Sequence, residues 1–189
     1  MICRLGDKSA KKNTLEYLRK NEVVIYPCDT IYGFIGRYVS TKQEIERLKG
    51  RGEGHPFLVL STKRLIKGIS DFEIPKSIEE FWPGPLTVII PSKREGSIAV
   101  RVPDDPVLLD LIDELDSPVY STSVNKTGEP PMNGIMEIIR RYKGKVGLIV
   151  DGGDLESGKP STIVDLTTKP YSVVRQGELC LNPEILSGL

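Results

Sequence analysis

Histidine is nearly absent from the sequence: His55 is the single one among 189 residues. That scarcity removes the usual parts of a His-built metal site or a Ser-His-Asp relay. Cysteine is sparse and unpaired in pattern. Cys3, Cys28 and Cys180 are far apart and odd in number, and none has the spacing of a metal finger or a redox motif, so a reducing compartment is the expectation. No apolar run approaches the ~20 residues of a membrane span, and Met1 to Asp7 lacks the apolar core of a signal peptide. Net charge is also missing. With 26 basic against 26 acidic residues, no global field favours a polyanion, and any anion site must be local. A soluble, cytoplasmic protein folded as one domain over residues 1–189 is expected.

What is present is alternation. Helical spacing covers Ser9 to Lys20, and Val23 to Tyr26 reads as a buried strand that Pro27 stops. After it, Asp29 and Thr30 fill a polar turn, with Gly33 and Gly36 keeping the following backbone slim. Thr41 and Glu44 have capping-box spacing for a helix from Lys42 that Gly50 ends. Phe57 to Leu60 is a strand, Ser61 or Thr62 caps a short helix ending near Gly68, and Pro75 starts another that reaches Phe81. Trp82-Pro83-Gly84-Pro85 makes a rigid corner before Leu86 to Ile90, the strongest strand signal in the chain. Strands at Ile98 to Val102, Val119 to Thr122, Val146 to Val150, Ser161 to Leu166 and Ser172 to Arg175 follow. Helices begin at Asp105-Pro106 and span Ile135 to Tyr142. This order predicts an α/β fold with an open, twisted, mixed sheet rather than a parallel one.

Several side chains in this frame ask for partners. Arg101 lies in an apolar strand, where its fork needs a ligand anion or an internal aspartate; Arg175 raises the same question. Lys49-Gly50-Arg51 is either a complement to a helix C-terminus or a cationic clamp for phosphate. Ser123-Val124-Asn125 puts a hydroxyl and an amide at a strand end, as a site or as a self-satisfied loop. Cys28, with no base in view, reads as a packed thiol. The run from Gly153 to Lys159 has the glycine and lysine spacing of a P-loop, but Pro160 stands where Ser or Thr must hold the metal and a strand follows, so a P-loop is excluded.

In order and spacing, these pieces resemble the YrdC-type threonylcarbamoyl-AMP synthase family, from Val23 to about Gly177. The matching stretches are Tyr26-Pro27-Cys28-Asp29-Thr30-Ile31-Tyr32-Gly33, Lys49-Gly50-Arg51, Trp82-Pro83-Gly84-Pro85-Leu86-Thr87, Ala99-Val100-Arg101-Val102-Pro103, Ser123-Val124-Asn125, Ser161-Thr162-Ile163-Val164-Asp165 and Arg175-Gln176-Gly177. The resemblance is to the short form, without an added C-terminal domain. It implies a concave, basic cleft and a reaction in which L-threonine, bicarbonate or CO2, and ATP give threonylcarbamoyl-AMP and pyrophosphate. Carried over by motif, Thr30, Arg101, Ser123 and Ser161 would hold threonine. Lys49, Arg51, His55, Ser97, Asn125, Asn133 and Arg175 would hold ATP, with Lys49 and Arg51 nearest the chemistry and Mg²⁺ accompanying the nucleotide. Cys28, Gly52, His55 and Leu60 depart from the family's usual residues. Partner proteins would pass the product's threonylcarbamoyl group to tRNA. A non-catalytic RNA-binding module is the rival, using Lys63-Arg64-Lys67 and Arg140-Arg141-Lys143-Lys145 on the phosphate backbone.

Overall fold

A computed structural model of the chain describes residues 1–29, 31–50, 52, 57–94, 96–156, 158–182 and 186. Ten strands form one mixed sheet: β1 (Ile2–Arg4), β2 (Val24–Pro27), β3 (Tyr32–Arg37), β4 (Leu58–Leu60), β5 (Leu86–Pro91), β6 (Ser97–Arg101), β7 (Val119–Ser123), β8 (Leu148–Asp151), β9 (Thr162–Asp165) and β10 (Ser172–Arg175). Their spatial order is β1-β8-β2-β3-β7-β4-β6-β5-β9-β10. Parallel and antiparallel neighbours alternate irregularly, as the expected mixed sheet requires. Among the described residues, five α-helices accompany it: α1 (Ala10–Arg19), α2 (Lys42–Lys49), α3 (Lys76–Glu79), α4 (Pro106–Leu115) and α5 (Ile135–Tyr142). No helix among the described residues is long and apolar enough to cross a membrane.

Strand alternation sorts the side chains into two faces. One face carries Ile25, Phe34, Tyr120, Val59, Val100, Val88 and Val164, and it is sealed by Ile45 and Leu48 of α2, Ile78 of α3, and Ile135 and Ile138 of α5. The other carries Cys3, Val24, Tyr26, Ile35, Val119, Leu148 and Val150 beneath Leu15 and Leu18 of α1 and Leu108, Leu111 and Ile112 of α4. Each of those buried leucines contributes about 1.5–3 kcal/mol of burial. α4 starts as its Asp105-Pro106 pair predicts, with Asp105 Oδ1 accepting from the Val107 and Leu108 amides at 3.0 Å each. Crucially, α1 and α4 cover only part of their face.

Local expectations are corrected at several points. The glycine-bearing stretch is not a turn throughout: the Cys28 amide donates to the Ile31 carbonyl, and Tyr32–Arg37 is a full strand paired with β2 and β7. Gly36 serves the packing, because a Cβ there would lie 2.2 Å from Thr41 Oγ1. Pro27 remains in β2, paired with Tyr32. Thr41 does not form the capping box: its hydroxyl donates to the Arg37 carbonyl at 2.9 Å instead. α2 nevertheless begins at Lys42 and ends on Gly50 at φ 59°. Thr62 likewise spends its hydroxyl on Asp113 (2.8 Å), and residues Lys63–Gly68 form a 3-10 turn. α3 is shorter than expected, with Pro75 flanking it at the N-cap rather than inside it. β1 has no counterpart in the sequence reading.

The link from β8 to β9 joins the second strand of the sheet to the ninth. That crossing covers roughly 34 Å at about 4.8 Å per strand. The chain from Asp151 to Thr162 reaches about 36–40 Å when extended. The run with P-loop-like spacing lies in this link and leads into β9, and none of its described residues is helical.

Candidate active site

Where α1 and α4 end, the same sheet face lies open, and the exposed positions follow register. Gly33 pairs with Ser123, and Ser121 with Leu58; Leu58 is beside Ala99, and Ala99 beside Ile89. Leu60 is beside Arg101, Arg101 beside Thr87, Thr87 beside Ile163, and Ile163 beside Arg175. These side chains, with Cys28, Asp29, Ile31 and Ser161, line a concavity of about 410 Å³. That is within the size range of small-molecule sites.

Polar groups cross its floor in a chain. Arg101, only 5% exposed, donates from Nε to the Gly84 carbonyl (3.0 Å) and from Nη2 to Asp29 Oδ2 (2.5 Å). The Trp82–Pro85 corner thus holds the arginine: the Gly84 amide donates to Val102 (3.0 Å), and a Cβ at Gly84 would lie 2.4 Å from the Phe81 carbonyl oxygen. Thr87 Oγ1 lies 2.8 Å from Ser161 Oγ. Arg175 donates from Nη2 and Nε to the Ser161 carbonyl at 2.8 and 3.2 Å. Gly177 permits this arrangement, since a Cβ on it would come within 2.2 Å of the Pro160 oxygen and 2.4 Å of the Ser161 carbonyl carbon.

At the other wall, Lys49 reaches across from the last turn of α2. It is 3% exposed, and its Nζ donates to the Ser123 carbonyl (2.9 Å), Ser123 Oγ (3.3 Å) and Asn125 Oδ1 (2.5 Å). Asn125 in turn donates to the Glu129 carbonyl (2.5 Å), and the Thr127 amide donates to the Lys49 carbonyl (2.9 Å). The lysine welds the loop after β7 to α2.

The structure therefore brings Arg101, Ser123, Ser161 and Arg175 to one concavity, with Asn125 and Lys49 directly behind Ser123. Ser97 stands at the exposed start of β6 on the same face as Ala99 and Arg101, outside the lining. Asn133 precedes α5 and accepts the Leu155 amide through its carbonyl (3.0 Å), also away from the lining. Thr30, Arg51 and His55 lie outside the described residues. The sequence reading missed Asp29, Gly84 and Gly177 as parts of the site. Asp29 is 72 positions from the arginine it pairs with, and only the turn's polarity hinted at it.

Electrostatics follow burial. Cys28 is pushed up to about 12 by desolvation, with Asp29 adding to the effect, which suits a packed thiol. Burial raises the Asp29 carboxyl, Arg101 pulls it back, and Asp105 raises it further. Among the described residues no cluster of three or more His, Cys, Asp or Glu side chains gathers as a metal cage. The basic clusters considered for RNA are partly neutralised. Arg64 pairs with Asp113 (3.1 Å) and Asp116 (2.8 Å), Lys63 with Glu79 (3.7 Å) and Arg141 with Glu129 (2.7 Å).

Comparison with known proteins places the chain in a family. The chain is 29% identical over 181 residues to the threonylcarbamoyl-AMP synthase of Pyrococcus abyssi, covering 87% of this chain and 53% of that protein. It is 30% identical over 176 residues to the threonylcarbamoyl-AMP synthase of Bacillus subtilis, covering 85% and 51%. It spans about half the length of these relatives. Its fold superposes on P. abyssi Sua5 complexed with L-threonine with a TM-score of 0.80 at 26% identity, over 94% of this chain and 56% of that one. The profile of the Sua5/YciO/YrdC family, described as telomere recombination, matches residues 16–177, and the chain belongs to that family.

Proposed function

We propose that the chain is an ATP-dependent L-threonylcarbamoyladenylate synthase, a nucleotidyltransferase that consumes L-threonine, bicarbonate or CO2, and ATP and releases pyrophosphate. One observation carries the reading: the open sheet face converges a buried arginine, Ser161 and a second arginine on one side with a lysine-braced Ser-Val-Asn loop on the other. The names of the relatives and the threonine complex of one of them support it.

The chemistry suits this equipment. A carbamate on the threonine amine attacks the α-phosphorus of ATP, forming the new P–O bond as the bond to pyrophosphate breaks. The substrate itself is the nucleophile, so the protein's task is to align two anions and balance charge. Arg101 would take the amino-acid carboxylate, and Thr30, Ser123 and Ser161 the remaining polar atoms. Arg51, His55, Ser97, Asn125, Asn133 and Arg175 would address the nucleotide. Lys49, already holding three acceptors, would fix the loop that carries Ser123 and Asn125. Mg²⁺ would enter bound to the phosphates of ATP and neutralise their charge; among the described residues the one carboxylate in the lining, Asp29, is engaged by Arg101. The product would serve proteins that complete threonylcarbamoyl transfer to tRNA, in the cytoplasm.

The test is direct incubation of the purified chain with ATP, Mg²⁺, bicarbonate and labelled threonine. Threonine-dependent pyrophosphate and a labelled adenylate are expected. A folded preparation that releases pyrophosphate at the same rate with and without threonine defeats the proposal.

A further inference from the structure

The concavity has an acidic group that the reaction as described leaves unused. Asp29 lines the pocket beside Arg101, and its side chain is 14% exposed against 6% for the arginine. A guanidinium offers five N–H donors, and the Gly84 carbonyl and Asp29 Oδ2 engage two of its nitrogens. Donors therefore remain for a ligand carboxylate. Asp29 Oδ2 faces the arginine, and an ionised carboxylate has about four acceptor sites in all.

Charge bookkeeping sharpens the point. Besides burial, the charged groups that act on Asp29 are Arg101 from β6 and Asp105 at the start of α4. Asp105 has turned one oxygen to the amides of α4. The guanidinium is thus already paired with one carboxylate before any ligand arrives. A ligand that brought only a carboxylate would put a second negative group beside Asp29 on one arginine. A ligand that brought an ammonium beside its carboxylate would add no net charge and would place its cation in the acidic half.

We infer that Asp29 and Arg101 act together as the receiver of a zwitterionic α-amino-acid head group, Arg101 taking the carboxylate and Asp29 the amino group. The inference rests on the proposed synthase reading and names the residue that reads the amine. The rise in the Asp29 carboxyl through burial agrees with a site whose acid waits for a cationic partner. Selection is for α-amino acids over hydroxy acids of the same shape, which matters because only an amine can be converted to the carbamate.

Calorimetric titration tests this with two ligands, L-threonine and 3-hydroxybutanoate, which is threonine with hydrogen in place of the amine. The unsubstituted protein should bind threonine at least about tenfold tighter than the hydroxy acid. In Asp29→Asn that ratio should fall towards one through loss of threonine affinity, with 3-hydroxybutanoate unchanged or tighter. Equal weakening of both ligands in Asp29→Asn would make Asp29 a mere support for Arg101 and overturn the inference. So would equal affinity of the two ligands for the unsubstituted protein, a comparison that needs no variant to fold. If the unsubstituted protein binds no threonine, the synthase reading falls and the inference falls with it. If it binds threonine and the ratio is flat, only the inference fails.

Discussion

Lys49 offers the sharpest separation between holding the site and doing the chemistry. Its ammonium is buried and satisfied by the Ser123 carbonyl, Ser123 Oγ and Asn125 Oδ1. Lys49→Met keeps the length and apolar stem and removes the charge. Hydrogen bonds to a charged group are worth about 1.5–3 kcal/mol each, so the gross loss over the three is about 4.5–9 kcal/mol. Two effects oppose it. The ammonium no longer has to be desolvated, which returns several kcal/mol, and Asn125 Oδ1 keeps the Ser123 hydroxyl as a donor (2.5 Å). The Ser123 carbonyl is left without the lysine, at about 1–3 kcal/mol. A net loss of about 2–4 kcal/mol is expected.

With a urea slope near 2 kcal/mol/M, that lowers the unfolding midpoint by about 1–2 M. A double-mutant cycle with Asn125→Ala should give a coupling of about 1 kcal/mol or more, since the two residues form one network. Equilibrium unfolding followed by circular dichroism, beside threonine-dependent pyrophosphate release, reads both outcomes. A midpoint unchanged within about 0.3 M alongside lost turnover would refute the loop-anchoring account. Lys49 would then be a phosphate ligand whose bonds to Ser123 and Asn125 contribute nothing to stability.

Three further outcomes follow from the same geometry. Gly177→Ala should force apart the backbone at Pro160 and Ser161, lowering stability by about 1–3 kcal/mol and weakening threonine binding in calorimetry; Gly6→Ala, which meets nothing within 4 Å, is the control, and equal behaviour of the two would remove Gly177 from the site. Val39 sits at φ 70° with 46% exposure; relieving about 1–2 kcal/mol of left-handed strain at the entropic cost of glycine, Val39→Gly should raise Tm by about 1–3 °C, and a lower Tm would contradict the strain argument. At pH 8 Cys28, with its thiol near 12, should be alkylated by iodoacetamide about a thousandfold more slowly than an ordinary thiol, its rate rising tenfold per pH unit. Because the folded value is raised, stability is held at neutral pH and lost as pH climbs towards 12. Peptide mass spectrometry showing Cys28 labelled as fast as the exposed Cys180 would sink this.

Elements with one strong periodicity were legible before the structure. α5 at Ile135–Tyr142 and β10 at Ser172–Arg175 match to the residue, and β5 differs only by Pro91 at its end. β3 was not legible, because two glycines in six residues mimic a turn and their purpose lies in α2 and β7, far along the chain. The capping box failed for a related reason. Thr41 had a competing acceptor in the Arg37 carbonyl, a local bond that spacing does not reveal. In the site, Arg101 demanded a partner from sequence, and ligand anion and internal aspartate were both open. Asp29 now occupies the second role while the pocket leaves room for the first. Ser97 and Asn133, carried over by motif as nucleotide residues, stand outside the lining of the concavity.

The placement of that concavity has a cause in residue size along single strands. In β3, Ile35 lies under the α1–α4 layer, and Gly33, two residues earlier on the same face, is at the pocket. In β7, Val119 is core, and Ser121 and Ser123 are lining. Branched side chains give α1 and α4 a surface to bury; glycine and serine give them nothing to gain, and the helices stop. The depth then comes from small residues, and the polar groups inside it are held from behind by Lys49 and Gly84 and from beside by Thr87. Core and site therefore alternate within the same strands, which keeps the site rigid. A change at Ser121 or Gly33 adds bulk to a cavity wall, while a change at Val119 or Ile35 removes packing beneath two helices. The same strand should answer the first in ligand affinity and the second in stability.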